Sequence, residues 1–264
     1  VTSRRLMQAA GVPIVPGSTE TLSDEAAVEF AREIGLPVMV KASAGGGGRG
    51  LRLIREAAEL LPSIVRARSE ARSSFGDDSI YVEKLVSKPR HIEVQILGDS
   101  RGNVVHLFER ECSVQRRHQK LIEEAPANRM TPDLRERICA AAVAAARAVG
   151  YEGAGTVEFL VDEKQAFYFL EMNTRVQVEH PVTELTTNVD IVKTGIRIAA
   201  GEPIGFSPGD LRIDGWAIEC RICAEDPDRG FLPSPGEIVA FEPPGGPGVR
   251  VDSGVSAGAK VTAF

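Results

Sequence analysis

Apolar positions first recur at helical spacing over residues 2–10 (TSRRLMQAA), with Gly11 next and Pro13 and Pro16 beyond. This predicts a short helix capped by Thr2 or Ser3, then an extended linker. Ala27, Val28, Ala31 and Ile34 form one face, with Gly35 and Pro37 after it, so a helix over 24–34 capped by Ser23 is expected. VMVKA (38–42) reads as a short buried strand, followed by a glycine loop (45–50) and a strand LRLI (51–54). Residues 56–74 are helical in pattern, Pro62 either starting a second helix or kinking the first, and IYVEKLV (80–86) is a strand.

From Pro89 the period changes. HIEVQIL and VVHLFER alternate as strands joined by the turn-rich GDSRGN, and a polar, basic loop follows. Thr131 with Pro132 starts a helix through residue 148, stopped by Gly150. GTVEFLVD and FYFLEMN pair as a hairpin across EKQA. A helix over about 189–200 and strands around WAIECRICAE, EIVAFE and VRVDSG complete the chain. Strands mixed with helices, many in hairpins, predict an α+β fold.

Composition narrows the function. The 264 residues carry 31 Lys+Arg against 37 Asp+Glu, a net charge of −6, which argues against a general binder of nucleic acid or anionic membranes. With 43% hydrophobic and 26% charged residues the chain is ordinary globular material, enough for one large or two smaller domains. No apolar run approaches the roughly 18 residues that span a bilayer. Four scattered cysteines (Cys112, Cys139, Cys220, Cys223) and no signal segment fit a reducing cytoplasm. The start at Val1 inside a helical pattern and the stop at VTAF give the expectation of a fragment.

Several constellations carry chemistry. Lys41 ends a buried strand and is followed by the loop of Gly45 to Gly48 and Gly50, whose bare backbone N–H groups can cradle phosphates; a simple hairpin tip is the alternative. With EKQA as a four-residue turn, Asp162 faces Phe167, and four steps outward Glu158 stands opposite Glu171. Opposed residues have Cβ atoms about 5 Å apart, where two carboxylates repel by roughly 3 kcal/mol at an effective dielectric of ~20. A hard divalent ion, Mg²⁺ or Mn²⁺, would relieve that, with Asn173 adding an oxygen; splayed, solvated carboxylates are the alternative. An extended strand would turn Glu171, Asn173, Arg175, Gln177 and Glu179 to one side, a face able to hold metal, anion and base. Arg110, Arg116, Arg117, His118 and Lys120 concentrate positive charge suited to a small multiply charged anion. Cys220 and Cys223 lack a second ligand pair for zinc and read as packing, while Arg221 could stabilise an oxyanion.

Together KASAGGGGRG, YVEKLV, RHIEVQ, RECSVQRRHQKLIEEAP, GTVEFL and EMNTRVQVEHPVTE resemble the biotin carboxylase branch of the ATP-grasp family, of the acetyl- or propionyl-CoA carboxylase kind, over essentially the whole chain. The resemblance implies an ATP-grasp fold whose two lobes enclose the nucleotide. Residues 1–12 would be a remnant helix of a preceding subdomain, 13–86 the lid lobe, and 87–264 the base lobe with the start of the C-terminal region. It implies that Lys41 and Gly46, Gly47 and Gly48 hold ATP phosphates, and that Glu83, Val86, Gln115 and Leu160 surround the adenine. His91 and His118 would also line the nucleotide pocket. Glu158, Glu171 and Asn173 would bind the metal, and Lys120, Arg175, Gln177 and Val178 bicarbonate. Glu179 would be the base, and Arg221 would stabilise the enolate-like form of biotin. The implied cofactors are ATP, Mg²⁺ or Mn²⁺ and carrier-linked biotin; the implied partners are bicarbonate, a biotin carboxyl carrier domain, a carboxyltransferase subunit and a second copy in a homodimer. Another ATP-grasp ligase, such as one forming carbamoyl phosphate, or a noncatalytic ATP-binding piece would share many of these features.

Overall fold

The computed structural model describes residues 1–44 and 50–262. Two compact units are present, 1–220 and 221–264. The first unit holds two antiparallel sheets with helices packed on them, an α+β arrangement.

The smaller sheet is β1 (Val38–Ala42), β2 (Leu51–Ile54) and β3 (Ile80–Lys84), ordered β2-β1-β3. Helices α2 (Asp24–Ile34) and α3 (Leu60–Phe75) cover it, burying Ala27, Ala31, Ile64 and Ala67 against Val38, Val40, Ile54 and Val82. Ser23 caps α2 by accepting from the Ala26 amide. Pro62 starts a helix rather than kinking one: a short 3₁₀ turn leads into α3, and the proline falls in the first turn of α3, where its missing N–H costs nothing.

The larger sheet has six strands in the order β8-β7-β4-β5-β6-β9. These are β4 (Arg90–Gly98), β5 (Val104–Arg116), β6 (Gln119–Ala125), β7 (Gly153–Val161), β8 (Phe167–Asn173) and β9 (Ala217–Cys220). Alternation along β4 sends Ile92, Val94 and Ile96 into a core shared with α4 (Pro132–Ala148), which Thr131 caps. Its other face presents His91, Glu93 and Gln95, and Leu97 joins a third cluster with α6 (Ile191–Ala199). Helix α1 (Thr2–Ala9) inserts Met7 into the α4 core. Val1 precedes it and supplies no side-chain cap, so the expected Thr2 or Ser3 cap is not formed.

Other expectations fail as well. The basic segment is not a loop: β5 runs to Arg116 and turns tightly through Arg117 and His118, at φ 51° and 65°, into β6. The strand expected through Glu179 ends at Asn173; residues 174–179 are irregular and lead into α5 (His180–Thr187), a helix the pattern did not suggest. Gln177 and Glu179 are buried by that turn, whereas Arg175 and Val178 stay exposed, so the five polar residues do not share one face. Among the described residues of the second unit the strand pairings are two residues long, Glu225–Asp226 with Leu232–Pro233 and Gly236–Glu237 with Lys260–Val261. Cys220 and Cys223 are exposed, not packed.

Candidate active site

The site grows from a row of directly paired residues across four strands of the larger sheet. Arg110 on β5 pairs with Glu93 on β4, Glu93 with Glu158 on β7, and Glu158 with Glu171 on β8. The Glu158–Glu171 pairing is the one expected, reached by a different count. The turn holds five residues, so Val161 rather than Asp162 faces Phe167, and a bulge between Glu158 and Phe159 pushes Leu170 out and restores the register.

Three carboxylates side by side need cations. Lys120 of β6 supplies one: its Nζ donates to Glu93 Oε2, to Glu158 Oε1 at 2.7 Å and to Glu179 Oε1 at 2.7 Å. Burial works against the ammonium, but Glu93 and its fellow acids raise the Lys120 pKa above the ordinary lysine value. Arg110 supplies the second, its Nε 2.5 Å from Glu93 Oε1. Burial opposes ionisation of Glu93, yet Arg110 and then Lys120 bring its pKa below the usual range.

Glu158 is the hub. His91 Nε2 lies 2.9 Å from its Oε2, and Asn173 Nδ2 and Gln177 Nε2 donate to its Oε1 at 2.9 and 3.1 Å. Desolvation pushes this carboxyl up, but His91 and Lys120 more than offset it, leaving a pKa of about 2. Glu171, one strand outward, goes the other way, raised by burial and next by the Glu158 charge. The Glu158 charge that helps raise Glu171 is what a divalent cation shared by the two acids would relieve. Metal-sized groupings of His91, Glu93 and Glu158, and of Glu93, Cys112 and Glu179, also occur among the described residues, but Lys120 already bonds acids in both.

The expected nucleotide residues fall in several places. Gln115 Nε2 approaches His91 Nδ1 at 2.9 Å and donates to the Cys112 carbonyl at 2.7 Å, while Leu160 pairs with His91 across β7 and β4. His118 is exposed at the tip of the β5–β6 turn. Lys41 Nζ sits 2.5 Å from buried Glu83, which also bonds Arg4 of α1. Arg4 further donates to the Ser18 and Val15 carbonyls at 3.1 and 2.7 Å. Gly17 lets that linker lie against β3, because a Cβ there would stand 2.5 Å from the Val82 carbonyl. A cavity of about 270 Å³ lined by Lys84, Leu85, Ser87, Asp162, Glu163 and Tyr168 includes Val86 but none of Glu93, Glu158, Glu171 and Glu179. Gly46, Gly47 and Gly48 lie outside the described residues, and Arg221 is the first residue of the second unit.

The basic run therefore divides. Arg110 and Lys120 turn inward to acids, whereas Arg117 and His118 are exposed, so the five do not form one anion site. Arg175 also stands outside the gathered group, donating to the Val176 carbonyl at 3.2 Å. Sequence reasoning missed Glu93, Arg110 as an inward residue, Arg4, and Thr156 and Thr183, whose hydroxyls accept from Arg110 at 3.2 and 3.0 Å. The available signal was RHIEVQIL, where an acid and an amide alternate with isoleucine and valine in a strand too apolar to be solvated.

Residues 1–206 match the family model of the carbamoyl-phosphate synthase L chain ATP binding domain, and residues 219–264 that of the biotin carboxylase C-terminal domain. The chain is 56% identical to the chloroplastic biotin carboxylase of Arabidopsis thaliana over 96% of its length and 48% of that protein. It is 51% identical to biotin carboxylase 1 of Bacillus subtilis, covering 99% of the chain and 59% of the relative. The chain thus spans about half the length of the curated relatives it matches. Among solved structures, the biotin carboxylase–βγ-ATP complex of Campylobacter jejuni superposes with a TM-score of 0.94 at 50% identity, over 99% of this chain and 58% of that one. The biotin carboxylase domain dimer of Hydrogenobacter thermophilus 2-oxoglutarate carboxylase, with MgADP, ADP and bicarbonate, gives 0.94 at 53% identity and the same coverage.

Proposed function

Because the chain belongs to the biotin carboxylase family and has its ATP-grasp fold, we propose that it carries the ATP- and bicarbonate-handling part of an enzyme that carboxylates biotin. The observation that carries this reading is the Glu93–Glu158–Glu171 row with Lys120 bonded to Glu93, Glu158 and Glu179.

Bicarbonate and ATP are both anions, and their approach needs fixed positive charge. Lys120 and Gln177, with Arg175 and the Val178 backbone, would bind bicarbonate. Glu179, bonded to Lys120, would take the bicarbonate proton as an oxygen attacks the γ-phosphorus and ADP leaves. Carboxyphosphate would then split into CO₂ and phosphate, the phosphate would take the ureido N–H proton of biotin, and that nitrogen would bond CO₂, Arg221 stabilising the enolate-like form. Glu158, Glu171 and Asn173 would hold Mg²⁺ or Mn²⁺, which when bound neutralises phosphate charge. Lys41 and Gly46, Gly47 and Gly48 would contact phosphates; Glu83, Val86, His91, Gln115, His118 and Leu160 would surround the rest of the nucleotide. Residues 13–86 would close as a lid that keeps water from carboxyphosphate, over a base lobe beginning at residue 87. The partners would be a biotin carboxyl carrier domain, a carboxyltransferase subunit and a second copy of the chain, as the Hydrogenobacter thermophilus dimer suggests. Four free thiols suit a cytoplasmic setting.

The test is phosphate release from MgATP by the native-length protein, with and without bicarbonate and free biotin. Release that needs both supports the reading. Release indifferent to biotin replaces it with another ligase of the same fold.

A further inference from the structure

Arg110 is fully buried, and each of its five N–H groups has an acceptor. Nε bonds Glu93 at 2.5 Å; Nη1 bonds Gln95 at 2.8 Å and Thr183 at 3.0 Å; Nη2 bonds Thr156 at 3.2 Å and Gln177 at 3.4 Å. The partners come from β4, β7, α5 and the segment before it. A buried guanidinium satisfied in this way fixes the orientation of every group that accepts from it.

Two of those groups lead directly into the site. Glu93 gives one oxygen to Arg110 and the other to Lys120. Gln177 turns its carbonyl to Arg110 and its amide to Glu158 at 3.1 Å, so the arginine decides which end of the side chain faces the acid. Elsewhere in the same unit, Arg135 of α4 and buried Glu109 of β5 form another ion pair, with Glu109 also accepting from the Ala127 amide; none of these bonds involves a site residue. The two pairs offer a contrast within one molecule.

We propose that Arg110 is a positioning residue that sets Lys120 and Gln177 for bicarbonate, acting through Glu93 and through its own bond to Gln177. This rests on the biotin carboxylase reading. Lysine at position 110 would keep the charge but lose the planar fork that reaches both sides.

The experiment is steady-state kinetics and thermal melting of native-length R110K, T156V, T183V and R135M. For R110K the KM for bicarbonate should rise about tenfold, the loss of one good positioning bond, with the KM for ATP within about twofold. T156V and T183V, each removing one acceptor, should raise the bicarbonate KM by about two- to threefold. R135M should lower the melting temperature and leave the bicarbonate KM unchanged. An R110K enzyme that melts lower but keeps its bicarbonate KM, as R135M should, overturns the role. If R110K does not fold, the two threonine variants decide: unchanged bicarbonate KM in both overturns it. A wild type with no bicarbonate-dependent turnover overturns the underlying reading and the role with it, a failure visible before any variant is measured.

Discussion

Glu179 is held by Lys120 on a segment that also carries Gln177, and it stands before α5 rather than on a strand of the acidic row. Glu179→Gln keeps the shape and removes the basic oxygen. The expectation is loss of bicarbonate-dependent turnover by at least about a hundredfold, the usual scale for a general base, with ATP affinity nearly unchanged in a binding titration. Glu158 gives a pH prediction. Its folded pKa of about 2 lies below the ordinary carboxyl value of 4.5, so the ionised form is the one stabilised by folding. Its contribution is complete above about pH 4.5 and is lost as pH falls toward 2. The unfolding free energy from urea melts should therefore fall less between pH 5 and pH 3 in Glu158→Gln than in wild type. The same substitution should cost about 3 kcal/mol at pH 7, because it breaks a buried ion pair from one side. Equal acid sensitivity in both proteins would show that the ion pairs around Glu158 are weaker than this geometry implies.

At the scale of elements, hairpins set what the site contains. Arg117 and His118 both adopt positive φ, the requirement of a two-residue turn that Asn-Gly satisfies with least strain. Replacing them by Asn-Gly should raise stability by about 0.5–1 kcal/mol, while weakening ATP binding if His118 contacts the nucleotide. Denaturation and ATP titration of this one variant separate folding from function. The β7–β8 hairpin shows why local counting has limits. Its turn is one residue longer than the strand pattern suggests, and the bulge at Leu170 compensates, so the carboxylates meet although the step count was wrong. Helix α5 was hidden because HPVTELTT is weak in helix formers; Pro181 in its first turn and burial of Val182, Thr183 and Thr186 hold it instead.

At the scale of the molecule, α1 connects the sheets of the first unit. Met7 is anchored in the core of the larger sheet, while Arg4 on the same helix reaches Glu83 of β3, where Lys41 also pairs. Arg4→Leu leaves that buried carboxylate with a single cation and should lower unfolding free energy by about 3 kcal/mol in urea. A loss under about 0.5 kcal/mol would mean that Lys41 alone satisfies Glu83.

The sequence by itself determined those features that depend on near neighbours. Ser23 and Thr131 cap their helices because a hydroxyl three residues from an orphan amide needs nothing distant. Alternation placed β4, β5, β7 and β8, and the pairing of Glu158 with Glu171 follows from one hairpin. Tertiary structure decided which polar groups meet across long separations. Arg110 finds Thr183, and Lys120 finds Glu179, only once β5, β6 and α5 converge. Arg117 and His118, by contrast, are turned to solvent by a tight turn in the same basic run. Charge spacing along a chain records how many ions there are; burial makes each one find a partner, and only the folded sheet brings those partners within reach.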